Sequence, residues 1–395
     1  MTYFYFALSY FAFLVAVWLW LPTISECWSA VRRQAVVRPI PGDSFPELLF
    51  LIPAHDEETI IAQCVRSIMS MDYPRERMRV VVIADNCKDR TASLARSEGA
   101  DCIERHDPVL IGKPQALAWG IKSLLGNQWD ACVIIDADTV IDENFAKALA
   151  TRGPLNSVVV QGYFATLNEN ESWLTRLAGV LARCRYELDY PLRAKAGLNC
   201  PLTGNGMCIG RNLLALSGWQ AFSLTENWEL YASYTAAGVR IHYAQDALLY
   251  SLEVSSLKQG YSQRRRWLAG RLLVANKWVA ELAGSRSISL HQKFDIIAEL
   301  TALPPVLHLS IAMLIGVAGI ALIPAPYGAI IGILALTSVG SLAAQATISI
   351  ARHPDPRATI MAFVFLPFYI AWRLVTAART LFTLNDQSWQ KTART

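Results

Sequence analysis

Two aspartates lie one residue apart directly after a short apolar run. Residues 131–135 read ACVII, and Asp136-Ala137-Asp138 follows at once. In an extended turn the two carboxylates can converge on one hard cation, and Mg²⁺ or Mn²⁺ needs few protein oxygens when substrate phosphates complete its coordination shell. An isolated D-x-D pair is common, however, and a solvated turn is the alternative. The pair therefore predicts a divalent metal site when other residues support it.

Polar residues also follow the two earlier apolar runs. Asp85 ends the run RVVVIAD, where its carboxylate could accept a hydrogen bond from the N–H of a uracil-like ring. Asp56 and Glu57 follow the run ELLFLI. They could belong to a site, or serve as the N-cap and first-turn acid of a helix and stabilise it by about 1 kcal/mol, and the two roles are compatible. Lys113 is expected in a loop, either available to a diphosphate or as an ordinary surface lysine.

Two further motifs occur later in the chain. Glu226 and Glu229 in SLTENWE are three residues apart and share one face of a predicted helix, although acids in a first turn also simply complement the helix dipole. The segment 263–267 reads QRRRW, and its guanidinium groups and indole could bind and stack against an anionic phosphate. The alternative is a basic amphipathic helix on anionic lipid.

These residues require a scaffold that brings the ends of strands together. Apolar runs predict strands over 47–52, 79–84 and 131–135, and helical spacing predicts helices over 57–71, 91–99, 114–125 and 223–237. Strands that alternate with helices form a parallel sheet, whose ligands bind at the carboxyl ends of the strands. We therefore predict a cytoplasmic α/β domain over residues 45–255 with its site at that edge.

Apolar segments flank the predicted domain. No charged residue occurs between Thr2 and Ser25, and residues 4–22 would span about 28 Å as a helix, close to the thickness of a bilayer core. We predict a retained transmembrane anchor over 1–25, since no basic residue precedes it and no small-residue cleavage site follows. Residues 303–351 contain no acidic or basic side chain except His308, and they predict transmembrane helices over 303–323 and 326–350.

The remaining segments are assigned by charge and length. Residues 256–300 form a predicted amphipathic or interfacial segment. Residues 358–384 form an interfacial or transmembrane helix, and the interfacial choice is preferred because only 15 uncharged residues, about 22 Å of helix, occur there. Residues 385–395 form a cytoplasmic tail. Arg32 and Arg33 follow the first helix, so the positive-inside rule predicts a multi-pass protein of the inner (plasma) membrane with a cytoplasmic domain.

Composition excludes several classes of protein. The 395 residues are 53% hydrophobic and 17% charged, which argues against a small soluble enzyme, a disordered scaffold and a collagen-like chain. A net charge of +4 is too small to indicate a nucleic-acid partner. The eight cysteines lie far apart, which disfavours a zinc cluster or a disulfide framework and suits a reducing compartment.

The motifs occur in a characteristic order: an acidic pair, an aspartate, D-x-D, T-E-x-x-E, and QRRRW before the apolar helices. This order resembles the family 2 glycosyltransferases, in the membrane-bound branch of the cellulose, hyaluronan and chitin synthases. The resemblance runs from about residue 45 to 267 and extends to the helices at both ends, and the segment 389–394 resembles tails of that branch. It implies a GT-A fold, Rossmann-like with a mostly parallel sheet, and inverting transfer from a nucleotide-diphosphate sugar, with a UDP-sugar expected.

The resemblance implies donor-binding roles for the first group of residues. Asp56 and Glu57 would lie at the nucleoside and Asp85 at the base. Lys113 would lie near the diphosphate, and Asp136 would lie near the donor.

It implies metal and acceptor roles for the second group. Asp138 would be the ligand of Mg²⁺ or Mn²⁺. Gln263, Arg266 and Trp267 would hold the diphosphate and shape the acceptor end, and the segment Gly204-Asn205-Gly206 would line the acceptor channel.

One position departs from the family pattern. The motif T-E-D ends in the aspartate that serves as general base, whereas this chain has Asn227, and an amide cannot take a proton from an acceptor hydroxyl. Three explanations stay open: Glu226 or Glu229 is the base, the asparagine is a deliberate substitution that traps substrate, or the enzyme is weak or silent.

The expected partners are the nucleotide sugar, a glycan or lipid-linked acceptor, and membrane lipid. Single addition and polymerisation are equally supported, and polymerisation would need a second copy or an export partner because few helices are present to form a channel. A small transporter component is a rival class, disfavoured because the apolar helices hold almost no ionisable residue. A catalytically silent subunit of a synthase or export complex is another.

Overall fold

The computed structural model describes residues 2–32, 45–324 and 326–383. Within these ranges the chain forms eight strands and sixteen α-helices. The strands are β1 (Leu48–Ala54), β2 (Met78–Asp85), β3 (Asp101–Arg105), β4 (Ala131–Ile134), β5 (Thr139–Ile141), β6 (Val159–Thr166), β7 (Met207–Gly210) and β8 (Ile241–Ser251).

The helices alternate with the strands through the domain and then continue without strands. They are α1 (Thr2–Val31), α2 (Ile61–Met69), α3 (Thr91–Ser97), α4 (Lys113–Leu124), α5 (Phe145–Ala150), α6 (Trp173–Arg183), α7 (Tyr190–Lys195), α8 (Arg211–Ser217), α9 (Glu226–Ala236), α10 (Leu257–Gly284), α11 (Leu290–Thr301), α12 (Pro305–Leu322), α13 (Tyr327–Thr337), α14 (Gly340–Ala351), α15 (Pro356–Ala362) and α16 (Leu366–Phe382).

All eight strands belong to one sheet, in the order β3-β2-β1-β4-β7-β6-β8-β5. The first four are mutually parallel, and the pairing of Leu51 with both Val81 and Ile134 aligns the carboxyl ends of β1, β2 and β4. β7 runs antiparallel to β4 and β6. The expected mostly parallel α/β sheet is confirmed, and the sequence did not predict the two strands that run antiparallel to their neighbours, β7 and β5.

Alternating side chains of β1 place apolar groups on both faces of the sheet. Phe50 and Ile52 face a core shared with α2, α3 and α5, and Leu49 and Leu51 face a second core shared with α4, α8 and α9. A strand buried on both faces appears in the sequence as a continuous apolar run, which explains ELLFLI. The result is a three-layer α/β/α domain whose loops meet at the carboxyl edge.

The segment predicted as amphipathic or interfacial consists of two helices. α10 packs against α9, α11 and α16. Its residues Val274 and Leu282 belong to the same core as β1 and α4. The segment is therefore packed onto the domain over much of its length, and α10 carries the QRRRW motif along the side of the site.

Four stretches of the described residues are long and apolar enough to cross a membrane: Ala7–Val31, Pro305–Leu322, Tyr327–Ala351 and Pro356–Phe382. The α1 helix packs against α12 and α13, and Trp20 Nε1 donates a hydrogen bond to the Leu334 carbonyl at 2.8 Å. Apolar side chains on the outside of these helices are exposed, among them Phe11 and Val317 at 62% and 64%. Such a surface suits contact with lipid.

The last of these stretches differs from the prediction. The interfacial choice relied on 15 uncharged residues, but the helical stretch Pro356–Phe382 covers 27 residues. The stretch includes Arg373 and Arg379 and is long enough to cross a membrane, so both the interfacial and the transmembrane helix stay predictions. The predicted tail 385–395, and Arg33 after the first helix, lie outside the described residues.

Candidate active site

One cavity of about 870 Å³ opens at the carboxyl ends of β1, β2 and β4. Its wall includes most of the residues that the sequence predicted for donor, metal and acceptor: Glu57, Asp85, Lys113, Asp136, Asp138, Gly204, Asn205, Glu226, Asn227, Gln263, Arg266 and Trp267. Three predicted residues are not part of this wall, namely Asp56, Gly206 and Glu229. The fold thus brings Asp85, Asp138 and Trp267 to one cleft.

The D-x-D turn is held in place by Asn205. The Asp136 N–H donates to Asn205 Oδ1 at 3.1 Å, and Asn205 Nδ2 donates to Thr139 Oγ1 at 2.7 Å. Asn205 therefore clasps the turn from both sides and leaves Asp138 lining the cleft with 8% of its surface exposed. The amide that was predicted to contact the acceptor is used to position the aspartates.

Lys113 is the first residue of α4 and does not lie in a loop as predicted. Its Nζ donates to Asp136 Oδ1 at 2.6 Å and to the Gly204 carbonyl at 2.7 Å, and it lies 3.4 Å from Glu226 Oε1. Burial favours the neutral amine, but the two carboxylates outweigh it and raise the pKa of Lys113 above its usual value. The lysine is therefore a charged group at the centre of the cleft.

Asp85 is committed to a partner that the sequence did not predict. It is 5% exposed, and its Oδ1 accepts hydrogen bonds from Arg105 Nη1 at 2.6 Å and from Asn86 Nδ2 at 3.1 Å. Arg105 also donates to the Leu110 carbonyl at 2.5 Å. The sequence places Asp85 at the nucleobase of the donor. In the structure its Oδ1 instead holds Arg105, the last residue of β3, which fixes the loop at the rim of the cleft.

The acidic pair after β1 is divided between two environments. Asp56 has a positive φ of 52°, and its Oδ1 accepts the Lys88 N–H at 2.7 Å, which ties together the loops after β1 and β2. Glu57 lines the cavity. The alternative N-cap role is wrong because α2 is preceded by Ile60 at its N-cap. Glu57 is thus on the cavity wall and Asp56 is not, and the nucleoside contact of the pair stays a prediction.

A second group of possible metal ligands lies beside this loop. Single ligand atoms of Asp56, Cys87 and Asp89 lie within 4.8 Å of one another. Burial raises the pKa of Cys87 to about 11, so the thiol is protonated and a poor ligand at neutral pH. Asp89 accepts hydrogen bonds from the backbone and side chain of Thr91. These residues act mainly in holding the loop.

Glu226 and Glu229 do not face the same site, contrary to the prediction. Glu226 lines the cleft with 7% of its surface exposed. Glu229 accepts hydrogen bonds from Lys277 Nζ at 2.6 Å and from the Ser223 N–H at 2.9 Å. Burial alone would raise the pKa of Glu229, but these donors outweigh it and lower the pKa. Glu229 is therefore a structural acid, and its assignment as a candidate base is wrong.

The side-chain amide of Asn227 acts as a hydrogen-bond donor in the folded chain. Its Nδ2 donates to the Leu202 carbonyl at 2.8 Å, and the residue lines the cleft. An aspartate at this position would place a carboxylate oxygen against a carbonyl oxygen. The local geometry therefore suits the amide that the sequence contains.

The QRRRW motif spreads its side chains around α10. Gln263, Arg266 and Trp267 line the cleft as predicted. Arg264 also lines the cleft, but it pairs with Glu253 at 3.1 Å and lies over the Trp267 ring at 4.5 Å, while Arg265 is not part of the wall. Successive residues of a helix point about 100° apart, so three arginines in a row cannot form one anion site.

The two glycines of the predicted acceptor segment have different roles. Gly204 lines the cleft next to Glu226 and Lys113. Gly206 packs beneath the sheet, where a Cβ would overlap the Leu249 side chain. The assignment of Gly206 to the acceptor channel is therefore wrong, and its absence of a side chain serves packing.

The cleft suits a divalent cation bound together with a diphosphate. Asp138 offers a nearly buried carboxylate on the cavity wall, two positions after Asp136. Mg²⁺ and Mn²⁺ take hard oxygen ligands and commonly use one or two carboxylates plus substrate phosphates. The residues present fit such an ion.

Comparison with known proteins agrees with this arrangement. Residues 46–270 match the family model described as Glycosyltransferase like family 2. The probable glycosyltransferase YdaM of Bacillus subtilis (strain 168) is 28% identical over 247 residues, which cover 60% of this chain and 58% of that protein. The beta-monoglucosyldiacylglycerol synthase of Synechocystis sp. (strain ATCC 27184 / PCC 6803 / Kazusa) is 26% identical over 259 residues, covering 60% of this chain and 50% of that protein. The aligned regions thus span between half and three-fifths of these two relatives.

A solved structure extends the likeness to the whole fold. The mannosyltransferase PcManGT from Pyrobaculum calidifontis, in complex with GDP-Man and Mn²⁺, superposes with a TM-score of 0.54 at 18% identity and covers 96% of this chain and 97% of that one. The family match and this superposition carry the assignment of the fold. The chain belongs to the family 2 glycosyltransferases and has a GT-A fold.

Proposed function

We propose that this protein transfers a sugar, with inversion, from a nucleotide-diphosphate sugar to a glycan or lipid-linked acceptor. The proposal is carried by one observation: Asp138, Lys113 and Arg266 line a single cleft at the carboxyl edge of the sheet. A carboxylate for a metal and two cations for phosphate are the groups that a diphosphate leaving group requires. A UDP-sugar is the donor that we expect.

Different residues would bind the metal, the nucleoside and the diphosphate of the nucleotide sugar. Asp138, with Asp136 beside it, would hold Mg²⁺ or Mn²⁺, which when bound supplies Lewis-acid charge to the diphosphate. Glu57 and Asp85 line the end of the cavity where a nucleoside would lie. Lys113, Gln263 and Arg266 would hold the diphosphate and stabilise the negative charge that grows as it leaves.

The acceptor would enter beside Trp267. Gly204 leaves room near Glu226, which is the acid of the 226–229 turn on the cavity wall. For an acceptor that presents a hydroxyl, Glu226 would take its proton. The name of the Synechocystis relative, a beta-monoglucosyldiacylglycerol synthase, supports a lipid-linked acceptor.

The membrane position is part of the proposal. The four apolar stretches suggest membrane association. We infer a multi-pass protein of the inner (plasma) membrane, with Arg32 after α1 favouring a cytoplasmic catalytic domain. Membrane lipid would surround the helices, and a second copy or an export partner would be needed if the product is a polymer.

The proposal is tested with purified full-length protein in detergent. Release of nucleoside diphosphate is measured with a panel of nucleotide sugars and lipid acceptors, with Mn²⁺ and with EDTA. We expect metal-dependent release that Asp138→Asn reduces by at least about 1000-fold, because the metal-stabilised leaving group is worth several kcal/mol. Asp142→Asn, an aspartate outside the cavity wall, serves as the control. Undiminished activity of Asp138→Asn would contradict the site.

A second candidate function is a catalytically silent subunit of a polysaccharide synthase or export complex. It is favoured by Asn227, which occupies the position of the general-base aspartate in the family motif. The same assay separates the two candidates, since a silent subunit releases no nucleoside diphosphate with any sugar or acceptor.

A further inference from the structure

The cavity extends beyond the donor cleft into an apolar arm. Here the wall is formed by α6, the start of α12 and α16, and we call the group Leu174, Leu177, Leu181, Pro305, Val306 and Tyr369 the acceptor arm. Pro305 and Val306 begin one of the candidate membrane spans. The arm thus places buried apolar side chains of the cavity wall beside the start of an apolar helix, where the apolar chain of an acceptor would contact them.

A buried arginine lies in this arm. Arg373 of α16 lines the cavity and is only 5% exposed. Among the described residues, none places a carboxylate within 4.0 Å of its guanidinium or forms a hydrogen bond with it. Arg264, which acts on it electrostatically, carries the same sign of charge and is paired with Glu253. A buried cation without a counter-charge is strongly disfavoured, so Arg373 calls for an anionic ligand.

Most other cations of the cavity already have partners within the described chain. Lys113 pairs with Asp136, and Arg185 pairs with Glu299 at 2.9 Å. Arg271 donates to backbone carbonyls of α11. Arg266 and Arg373 are the arginines of the cavity wall for which the described residues provide no such partner. If Arg266 meets the diphosphate of the donor, Arg373 is left for a second anion, which belongs to the acceptor.

Asn227 fits an acceptor that is already an anion. A hydroxyl acceptor needs a general base, but Asn227 is an amide that donates to the Leu202 carbonyl, and Glu226 has Lys113 Nζ 3.4 Å away. A phosphate monoester loses its second proton near pH 6, at about the value known for phosphorylated side chains. Its oxygen is nucleophilic at neutral pH without any base.

We infer that the acceptor is the phosphate monoester of a long-chain lipid alcohol, with its chain in the acceptor arm and its phosphate at Arg373. The inference rests on the proposed function and specifies its acceptor. A phosphate oxygen forms a bond to the anomeric carbon, and the bond from that carbon to the β-phosphate oxygen breaks. The leaving nucleoside diphosphate keeps the electron pair. The acceptor changes from a dianion to a monoanionic diester, the leaving group gains one negative charge, and no proton is transferred.

The first experiment compares matched acceptors in detergent with Mn²⁺ and labelled nucleotide sugars. The acceptors are undecaprenyl phosphate, farnesyl phosphate, undecaprenol and dioleoylglycerol. We expect a glycosyl phosphate lipid, soluble in organic solvent and labile to mild acid, from the two phosphates. Undecaprenol and dioleoylglycerol should give product at least about 100-fold more slowly. The rate with undecaprenyl phosphate should fall below about pH 6 as the phosphate becomes protonated.

The second experiment tests Arg373. Arg373→Gln should raise KM for undecaprenyl phosphate by about 10- to 100-fold, since it removes a charge-assisted contact, and Arg373→Lys should restore part of the loss. Arg357→Gln removes an exposed arginine of the neighbouring α15 and should leave this KM unchanged. Should Arg373→Gln not fold, the Arg373→Lys variant and the acceptor series with the unaltered chain still decide the question.

The outcomes separate the inference from the proposed function. Metal-dependent transfer to dioleoylglycerol or undecaprenol at a rate equal to that with the phosphates would overturn the inference and leave the proposed function intact. An unchanged KM for undecaprenyl phosphate in Arg373→Gln would also overturn it. Failure to release nucleoside diphosphate with every sugar and acceptor would overturn the proposed function itself.

Discussion

At the scale of single residues, the charged side chains of the cleft hold one another before a substrate enters. Lys113 bridges Asp136 and the Gly204 carbonyl, and Arg105 holds Asp85. Such pairs keep rotamers in place and lower the free energy needed to organise the site when a donor binds. Pairing of this kind is invisible in the sequence, because Lys113 and Gly204 are 91 positions apart.

Asn227 gives a prediction at this scale. Asn227→Asp removes the donor to the Leu202 carbonyl and sets two oxygens against each other, so we expect the free energy of unfolding to fall by about 1–3 kcal/mol at pH 7. We also expect no gain in turnover. Thermal unfolding in detergent and nucleoside diphosphate release measure the two effects.

The matched control is Asn212→Asp, which alters an exposed amide that donates to Ser157 Oγ. It should change stability by less than about 0.5 kcal/mol. A more active Asn227→Asp of undiminished stability would show instead that the asparagine is an inactivating substitution.

At the scale of elements, the sheet and its glycines decide which residues reach the cleft. The parallel strands β1, β2 and β4 end together and place their following loops at one edge. The antiparallel β7 enters beside β4 and brings Asn205 under the D-x-D turn. Periodicity could predict the parallel strands from their apolar runs. It did not predict β7, whose place between β4 and β6 and antiparallel direction depend on pairing with strands that are distant along the chain.

Gly206 provides a prediction at this scale. It precedes β7 with φ of +66°, and a Cβ there would overlap Leu249. Gly218 has φ of +63°, and a Cβ there would meet no atom within 4 Å. We expect each alanine variant to lose about 1 kcal/mol from backbone strain, and Gly206→Ala to lose a further 1–3 kcal/mol, roughly, from overpacking.

The measurement is the difference in thermal stability between Gly206→Ala and Gly218→Ala in detergent. Equal losses of stability in the two variants would mean that Leu249 of β8 moves aside and accommodates the added methyl group. A change in acceptor KM for Gly206→Ala at unchanged stability would return this glycine to the acceptor channel.

At the scale of the whole molecule, a buried ion network joins α1, one of the four apolar helical stretches, to the domain. Arg193 of α7 donates to Asp189, Asp295 and Glu299, and Ser25 of α1 donates to Asp295 at 2.7 Å. Burial raises the pKa of Asp295 to about 6. Burial also opposes the ionisation of Glu299, but the nearby arginines outweigh it and lower that pKa to about 2.

Arg193→Met should therefore be strongly destabilising. Glu299 keeps its pair with Arg185 at 2.9 Å, but Asp189 and Asp295 are left buried without this counter-charge, and we expect a loss of about 3–5 kcal/mol at pH 8. Without the arginine the folded-state pKa values of these acids rise above their unfolded values, so the folded protein binds more protons and its stability falls as pH rises. The loss should thus be smaller at pH 5 than at pH 8, measured by thermal unfolding in detergent.

Arg66→Met is the control, since Arg66 pairs with Glu98 on the surface with 66% of its side chain exposed. Exposed pairs contribute about 0–1 kcal/mol. An Arg193→Met loss that is the same at pH 5 and pH 8 would contradict the role of buried carboxylates.

The sequence by itself determined the fold class, the apolar segments and most of the cleft. Continuous apolar runs of strand length, followed by aspartates, are local patterns. Such patterns can be recognised in the sequence because they involve only neighbouring residues. The order of the motifs and the family resemblance that it supports assign Asp138, Lys113, Arg266 and Trp267 to one site, and all four line the cavity.

Only the tertiary structure decided which of the charged residues face the cleft and which are used elsewhere. Glu226 and Glu229 are equivalent in the sequence, yet Lys277 of α10 holds the second away from the cavity. Arg264, Arg265 and Arg266 are adjacent, yet Arg265 does not line the cavity and Arg264 is paired with Glu253, so only Arg266 is left to meet a phosphate there. The physical reason is that direction and pairing depend on groups distant along the chain, and no short pattern records those partners.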